Sequence, residues 1–322
     1  MGDPFVSIVI PVFNGSNYLK RAIDSALTQS YRNTEIVIVN DGSTDGGATE
    51  EIARSYGDKI RYYYKENGGV ATALNLAVSV MHGEYFSWLS HDDEYLPNKV
   101  QAQVDYLRQL DNDNSVVYSG FEVIDANSNK LGTVIMPMIE PVDFRYWITR
   151  GSMLHGCSLL IPKKCFARSG LFDPRLRTTQ DYDLWFRMSS STSFLAMPNP
   201  LIRARSHEEQ GTKTLGKVVL EECDELHSRF FKQLIVDGYF SDANPTESVS
   251  KLLSLITSFK ERGFTRAYRL AVESAFRELK GFSLPRRIYL AASIWGVEER
   301  GAAFRNKIKG VAGKLARSIK IR

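Results

Sequence analysis

Apolar and polar blocks alternate over about the first 110 residues. The first block, FVSIVIPVFN, is a short β-branched run closed by Pro11 and a polar turn, a pattern typical of a buried strand. Similar runs follow in EIVIVND, IRYYYKE and GEYFSWLS. The helical segments between them are SNYLKRAIDSALTQS, ATEEIARSYG and GVATALNLAVSVM. This alternation predicts a parallel sheet with crossover helices.

The pattern changes from about Ser115. SVVYSGFEVID, TVIMPM and SLLIPKK predict strands without regular helices between them, and FLAMPNPLIRARSH predicts a later strand. QDYDLWFRMSS predicts a helix, and beyond about Thr214 the pattern is helical to the end. We therefore divide the chain into a mostly parallel half at residues 1–114, a mixed half at 115–212, and a helical region at 213–322.

Polar residues stand at the carboxyl ends of the predicted parallel strands, where open α/β sheets bind ligands. These residues are Asn14, Asp41-Gly42-Ser43, Asn67-Gly68-Gly69 and Asp92-Asp93. Alone, Asp92 and Asp93 are typical of a helix cap or a turn. Together with the other strand ends they predict a pocket with a site for Mg²⁺ or Mn²⁺, because hard cations commonly bind through one or two carboxylates and substrate phosphates.

The composition is that of a soluble globular protein, with 43% hydrophobic and 24% charged residues among 322. A net charge of only +4 is too small for a polycation that coats nucleic acid, so we expect no nucleic-acid partner. The three cysteines have no paired spacing, which indicates reduced thiols. The start MGDPFVSIVIPVF lacks signal-peptide features, and no run of 18 apolar residues occurs. We expect a cytosolic protein.

The last 23 residues, 300–322, are basic and amphipathic. Every ionisable side chain there is Lys or Arg, and apolar residues recur every three or four positions from Phe304 to Ile319. One interpretation is an interfacial helix that attaches the protein peripherally to the inner, anionic face of the cell membrane. The other is a terminal helix packed on the domain, or a solvated tail.

Several common nucleotide and hydrolase motifs are absent from the sequence. The first strand is followed by PVFNGSN in place of GxGxxG, and neither GxxxxGK[ST] nor GxSxG occurs. The five histidines are too widely separated for a zinc motif. These absences argue against a dinucleotide enzyme, a P-loop NTPase, an α/β-hydrolase and a zinc site.

Four ordered segments carry a resemblance to a known family: VSIVIPVFNGSNYLKRAIDSALTQSY, EIVIVNDGSTDG, NGGVATALNLAV and GEYFSWLSHDDEYLP. They are similar to successive motifs of family 2 glycosyltransferases, and the similarity continues through SLLIPKKCFARSGLFDPRLRTTQDYDLWFRM to RSHEEQG, or residues 5 to 210. The resemblance implies a GT-A fold, an α/β fold with a Rossmann-like, mostly parallel sheet flanked by helices. A mixed acceptor-side half and a C-terminal helical extension would complete it.

The resemblance also implies an activity. Such enzymes transfer a sugar with inversion from a nucleotide-diphosphate sugar to a glycan or lipid-linked saccharide, using Mg²⁺ or Mn²⁺. UDP is the expected nucleotide, and dTDP and GDP are the alternatives. It implies a nucleotide-binding role for Pro11, Val12, Asn14, Asp41, Asn67 and Asp92, with Asp41 on the base. It implies metal-binding roles for Asp92, Asp93 and His207, without ranking the two aspartates, and makes Asp181 the catalytic base.

Two positions depart from the family pattern. Ser90-His91-Asp92-Asp93 stands where many members have Asp-x-Asp-Asp, and Gln180 replaces the usual acid before the base. A non-catalytic nucleotide-sugar-binding or scaffold protein therefore remains an alternative. A nucleotidyltransferase is less favoured, because no GxGTRL-like loop follows the first strand. His155 either borders the acceptor pocket or has an ordinary loop role, and the oligomeric state is open.

Overall fold

The computed structural model describes residues 2–151, 154–208, 215–240 and 245–278. The chain divides into two compact units. The first comprises Met1–Ile148 and Ser152–Val219, and the second comprises Thr149–Gly151 and Leu220–Arg322. The basic tail at 300–322 lies outside the described residues, so both interpretations of it stay predictions.

The described residues contain nine strands and ten α-helices. The strands are β1 (Val6–Val12), β2 (Thr34–Asp41), β3 (Arg61–Lys65), β4 (Tyr85–Trp88), β5 (Glu94–Tyr95), β6 (Val116–Ile124), β7 (Lys130–Val134), β8 (Ile161–Pro162) and β9 (Phe194–Arg205). The helices are α1 (Leu19–Leu27), α2 (Ala48–Arg54), α3 (Val70–Val80), α4 (Lys99–Gln109), α5 (Phe144–Gly151), α6 (Lys164–Ser169), α7 (Gln180–Met188), α8 (Gly216–Val236), α9 (Pro245–Glu261) and α10 (Thr265–Glu278).

The main sheet of the first unit has the order β3-β2-β1-β4-β8. Its first four strands are parallel and β8 is antiparallel to β4. Strand β1 is buried at all seven positions, as expected for an apolar strand covered on both faces. Helix α1 buries Leu19, Ala22, Ile23 and Ala26, which share one face of the helix. The predicted alternation of strand and helix is confirmed here.

A second, mixed sheet has the order β5-β9-β6-β7. Strands β6 and β9 are parallel, whereas β5 and β7 are antiparallel to their neighbours. The predicted strand TVIMPM is wrong beyond Val134, since Ile135–Met138 is not in a strand. Pro137 has no N–H to contribute to a sheet ladder, which is consistent with this early end.

The helix predicted over QDYDLWFRMSS is present as α7, but the expectation that no regular helices lie between the earlier strands of this half is wrong, because α5 and α6 lie there. Both have eight residues or fewer, so each offers barely two turns of apolar periodicity to a sequence-based prediction. Helix α4 and the two-residue strand β5 were not predicted either.

The second unit is helical, which confirms the prediction for its described residues. Helix α8 buries Leu226, His227, Phe230, Phe231 and Leu234 along one face. Among the described residues, no helix has the length and apolar character needed to span a bilayer.

Candidate active site

A cavity of about 220 Å³ lies beyond the carboxyl ends of β1, β2 and β4. Strand β1 lies between β2 and β4, so the crossover connections diverge at this point, which is where open α/β sheets bind ligands. The lining residues are Pro11, Val12, Phe13, Asp41, Val70, Ala73, Trp88, Ser90, His91 and Asp92. The structure thus brings together four of the six residues expected at a nucleotide: Pro11, Val12, Asp41 and Asp92.

Asn14, the fifth expected residue, joins two loops. Its backbone is left-handed, with φ 49°, a conformation that Asn tolerates better than most residues. Its N–H donates to Ser43 Oγ at 2.9 Å, and its Oδ1 accepts from the Thr44 N–H at 2.7 Å. Asn14 therefore fixes the loop after β1 against the loop after β2, but it is not among the residues that line the cavity.

Asp41 is buried and has several hydrogen-bond donors. Lys65 Nζ donates to its Oδ1 at 2.5 Å, as does the Gly68 N–H at 3.1 Å, and the Gly69 N–H donates to Oδ2 at 2.8 Å. The sixth expected residue, Asn67, donates from Nδ2 to the Asp41 carbonyl at 2.9 Å. The Asn67-Gly68-Gly69 loop is therefore tied to the end of β2, and Asp41 presents its carboxylate in one fixed orientation.

Asp92 is hydrogen-bonded to His207 Nε2, which is 3.0 Å from its Oδ2. Burial raises the pKa of Asp92, but the His91 charge and the His207 hydrogen bond outweigh it, so this pKa lies below its ordinary value. Gly15 makes room for the turn, because a Cβ there would stand 2.4 Å from the His91 ring.

Asp93 is more deeply buried than Asp92. The Arg205 N–H donates to its Oδ1 at 2.9 Å, and Cys157 Sγ lies 3.3 Å from its Oδ2. Burial and the neighbouring Asp92 charge raise the pKa of Asp93 to about 8. Burial also raises the pKa of the Cys157 thiol, so this thiol keeps its proton and donates a hydrogen bond to Asp93 Oδ2.

Arg205 organises the turn that carries both aspartates, and sequence reasoning missed it. Its side chain is fully buried, with an ion pair to Glu94. Its Nε donates to the Asp92 carbonyl at 2.8 Å and its Nη1 to the Asp125 carbonyl at 2.9 Å. It was missed because an arginine in a strand pattern is ordinarily interpreted as exposed. The one signal in the sequence was its position two residues before His207.

The turn carries two carboxylates, the type of ligand that hard divalent cations prefer. Asp92 and Asp93 are adjacent carboxylates whose mutual repulsion a bound cation relieves. His207 Nε2 lies 3.0 Å from Asp92 Oδ2, which is a hydrogen-bond distance. Among the described residues, the His, Cys, Asp and Glu side chains whose ligand atoms lie within 4.8 Å of one another are Asp93, His155 and Cys157, so Asp92, Asp93 and His207 do not form such a group in this structure.

Asp181 lies in the first turn of α7 and is not among the cavity-lining residues. Its Oδ1 accepts the Tyr182 N–H at 2.8 Å. Burial raises the pKa of Asp181 to about 6, although the backbone N–H bonds and the nearby His155 act in the opposite direction. A carboxylate of this kind is largely ionised at neutral pH and is a stronger base than an exposed aspartate.

A sequence model of glycosyl transferase family 2 matches residues 7–168, which is half of the chain and includes the cavity and both aspartates of the turn. The chain belongs to glycosyltransferase family 2. The family and the glycosyltransferase class implied by the motifs are therefore confirmed.

Relatives from Rickettsia support this membership. The chain is 45% identical over 282 residues to an uncharacterized glycosyltransferase of Rickettsia typhi, covering 87% of each protein. It is 50% identical over 233 residues to one from Rickettsia conorii, covering 71% of this chain and 38% of the relative. This family 2 chain thus spans about two-fifths of the length of some relatives that it matches.

The crystal structure of S. aureus TarS 1-349 in complex with UDP-GlcNAc is similar in fold. Its TM-score is 0.55 at 14% sequence identity, and the match covers 85% of this chain and 92% of TarS 1-349. The GT-A fold implied by the motifs is confirmed.

Proposed function

We propose that this family 2 glycosyltransferase transfers a sugar, with inversion, from a UDP-sugar to a hydroxyl of a glycan or lipid-linked saccharide. The observation that carries the proposal is the cavity at the strand ends with the Asp92–Asp93 turn at its rim. The similar fold of TarS, whose structure holds UDP-GlcNAc, supports UDP as the nucleotide.

The cavity accepts the nucleoside part of the donor in this proposal. Pro11 and Val12 provide an apolar wall, and Asp41 accepts an N–H of the base. Because Lys65 and two backbone amides already hold the Asp41 carboxylate, it needs no reorientation on binding.

The diphosphate lies at the turn, where Asp92, Asp93 and His207 would hold Mg²⁺ or Mn²⁺. When bound, the cation offsets the negative charge that develops on the departing diphosphate. Arg205 keeps the two aspartates in place through the Asp92 carbonyl and Asp93 Oδ1.

Asp181 acts as the general base. It takes the proton of the acceptor hydroxyl while the acceptor oxygen forms its bond to the anomeric carbon, and the bond from that carbon to the diphosphate oxygen breaks on the opposite face. Attack from the face opposite the leaving group inverts the configuration. Gln180 in place of an acid removes a neighbouring negative charge that would raise the pKa of Asp181 further.

Thermal unfolding with UDP, dTDP or GDP, each with and without Mn²⁺, tests this proposal. We expect UDP with Mn²⁺ to raise the midpoint, since a ligand at about 100 times its Kd stabilises the native state by about 2.7 kcal/mol. Asp93→Ala should abolish this shift. Asp113→Ala is the matched control, because Asp113 is mostly exposed and pairs with Lys164 away from the turn.

The same experiment separates the alternatives. A nucleotide shift without release of UDP from any UDP-sugar would favour a non-catalytic nucleotide-sugar-binding protein. A wild-type midpoint that no nucleotide changes would contradict the proposed donor site. A shift that survives in Asp93→Ala would remove Asp93 from it.

Membrane contact through residues 300–322 extends the proposal to lipid-linked acceptors. About 1 kcal/mol per basic residue is available near an anionic surface. In flotation with anionic liposomes, the full chain should rise with the vesicles and a chain ending before Arg300 should not. Equal recovery of both chains would contradict the membrane interpretation.

A further inference from the structure

His155 faces the buried carboxylate of Asp93. Its Nε2 lies 3.6 Å from Asp93 Oδ2, on the side of the carboxylate opposite the Arg205 contact. This distance exceeds a hydrogen bond by about 0.4 Å. Contacts in a ligand-free site commonly tighten when the ligand binds.

The local hydrogen bonds fix which ring nitrogen carries the proton. The Cys157 N–H donates to His155 Nδ1 at 3.3 Å, so Nδ1 presents its lone pair. In the neutral ring the proton is then on Nε2, aimed at Asp93. The ligand atoms of Asp93, His155 and Cys157 lie within 4.8 Å of one another. A metal bond from Nε2 would force a proton onto Nδ1, opposite the Cys157 N–H, so this cluster favours hydrogen bonding over metal binding.

Contacts on both sides hold the segment that carries His155. On one side, Gln103 Nε2 donates to the Ser158 carbonyl at 2.7 Å and Lys99 Nζ donates to the Leu159 carbonyl at 3.0 Å. On the other side, the Tyr182 hydroxyl donates to the Leu154 carbonyl at 3.0 Å. The first pair ties the segment to α4, which follows the Asp92–Asp93 turn.

The Tyr182 bond ties the same segment to α7, one residue after the proposed base Asp181. The His155 ring also packs against Phe121, with ring centroids 5.3 Å apart. The segment that carries His155 is therefore hydrogen-bonded both to α4, which follows the Asp92–Asp93 turn, and to α7, which carries Asp181.

We propose that His155 is a positioning residue of this site, whose Nε2–H orients Asp93 and whose segment sets the placement of Asp93 relative to Asp181. This role rests on the proposed function. It follows the general design of metal sites, in which a hydrogen bond to a ligating carboxylate orients it, and loss of such a bond typically costs about 10- to 100-fold in metal affinity or activity.

Two isosteric substitutions separate this role from a purely structural one. In His155→Gln, the amide nitrogen can occupy the place of Nε2 and reach Asp93, but the acceptor for the Cys157 N–H is lost. In His155→Asn, the amide oxygen can occupy the place of Nδ1 and keep that acceptor, but nothing reaches Asp93. A positioning role predicts that Gln substitutes well and Asn poorly, and a structural role predicts the reverse.

The measurements are Mn²⁺ affinity in the presence of UDP, by electron paramagnetic resonance, and the separate values of kcat and KM. We expect His155→Asn to weaken Mn²⁺ binding and to lower kcat by about 10- to 100-fold, with His155→Gln within about threefold of wild type. His82→Asn is the control, because His82 is 65% exposed and lies beside Glu35.

Equal losses in both variants, or a loss confined to His155→Gln, would give His155 a structural role and overturn the proposal. Wild-type behaviour in both would overturn it too. Failure of the proposed function would be seen differently, because the wild type itself would then neither bind Mn²⁺ with UDP nor transfer a sugar. In that case the proposed role of His155 would also be wrong.

Discussion

Asp92 and Asp93 are adjacent in the chain, yet their surroundings move their pKa values in opposite directions. His91 and His207 stabilise the charged form of Asp92. Burial and the charge of Asp92 raise the pKa of Asp93 to about 8. Desolvation raises the pKa of Asp181, a half-buried residue of α7, to about 6. The three carboxyl groups thus have three different proton affinities, which are set by burial and by neighbouring charges.

At this scale, the pH dependence of activity reports the ionisation of Asp181. Because the base must be ionised, kcat measured with saturating UDP-sugar and Mn²⁺ should rise about tenfold per pH unit below about pH 6 and level off above it. Asp181→Asn should lower kcat by about 10²- to 10⁴-fold while leaving the UDP-induced thermal shift intact. Initial rates of UDP release across pH, for wild type and variant, provide the measurement. A variant with nearly full activity would mean that another group takes the proton.

At the scale of elements, α4 carries a lysine into the core next to the site. Lys99 is fully buried, donates to Ser87 Oγ and to the Leu159 carbonyl, and lies 4.4 Å from the centre of the Tyr95 ring. Burial lowers the pKa of Lys99 from 10.5 to about 7. The helix therefore fixes the His155 segment at a cost in stability, since the core disfavours the charged amine.

Because the pKa of Lys99 is lower in the folded state, the free energy of unfolding depends on pH. Between about pH 7 and 10.5 the unfolded lysine holds a proton that the folded one has lost, so stability rises with pH by up to about 1.4 kcal/mol per unit. Lys99→Met should remove this slope, about 2 to 3 kcal/mol between about pH 7 and pH 9. Urea unfolding of wild type and variant at both pH values measures the difference. Lys164→Met, at an exposed lysine, serves as control, and parallel slopes for wild type and Lys99→Met would contradict the argument.

At the scale of the whole molecule, the candidate site lies in the first of the two units. The cavity, both aspartates of the turn and Asp181 belong to the first unit. The second unit is built around helix α8, where His227 Nδ1 donates to the Thr149 carbonyl at 2.7 Å and its ring stacks on Phe264. Burial and the charge of Arg262 lower the pKa of His227 to about 3, so the folded unit keeps this ring neutral.

Acid should therefore destabilise the second unit through His227. Between pH 6.5 and about 3 the unfolded histidine binds a proton that the folded one does not, so stability falls as pH drops below 6.5. The loss reaches about 2 kcal/mol at about pH 5. Thermal unfolding at about pH 7 and pH 5 should show a smaller acid-induced decrease in midpoint for His227→Gln than for wild type. His82→Gln should behave as wild type, and equal decreases in all three proteins would rule out the mechanism.

Local patterns in the sequence determined the parallel half of the fold and the residue types at its edge. The apolar runs that form β1 to β4 could be predicted because a buried strand shows itself in the polarity of consecutive residues, which is a local pattern. The carboxylates and amides that follow those strands were visible for the same reason. The order of these segments along the chain also indicated the family. The shorter elements α5, α6 and β5 were missed because each contains too few residues for a period to show.

Only the tertiary structure decided how the candidate site is held. Asp93 takes its partners from Arg205, 112 residues away, and from Cys157, 64 residues away. His207 reaches Asp92 across 115 residues. A sequence pattern carries information over a few turns or strand positions, whereas burial, charge proximity and hydrogen-bond geometry depend on which distant segments pack together. Those three quantities set the pKa values of Asp92 and Asp93, so the chemistry of these carboxylates is a property of the folded chain.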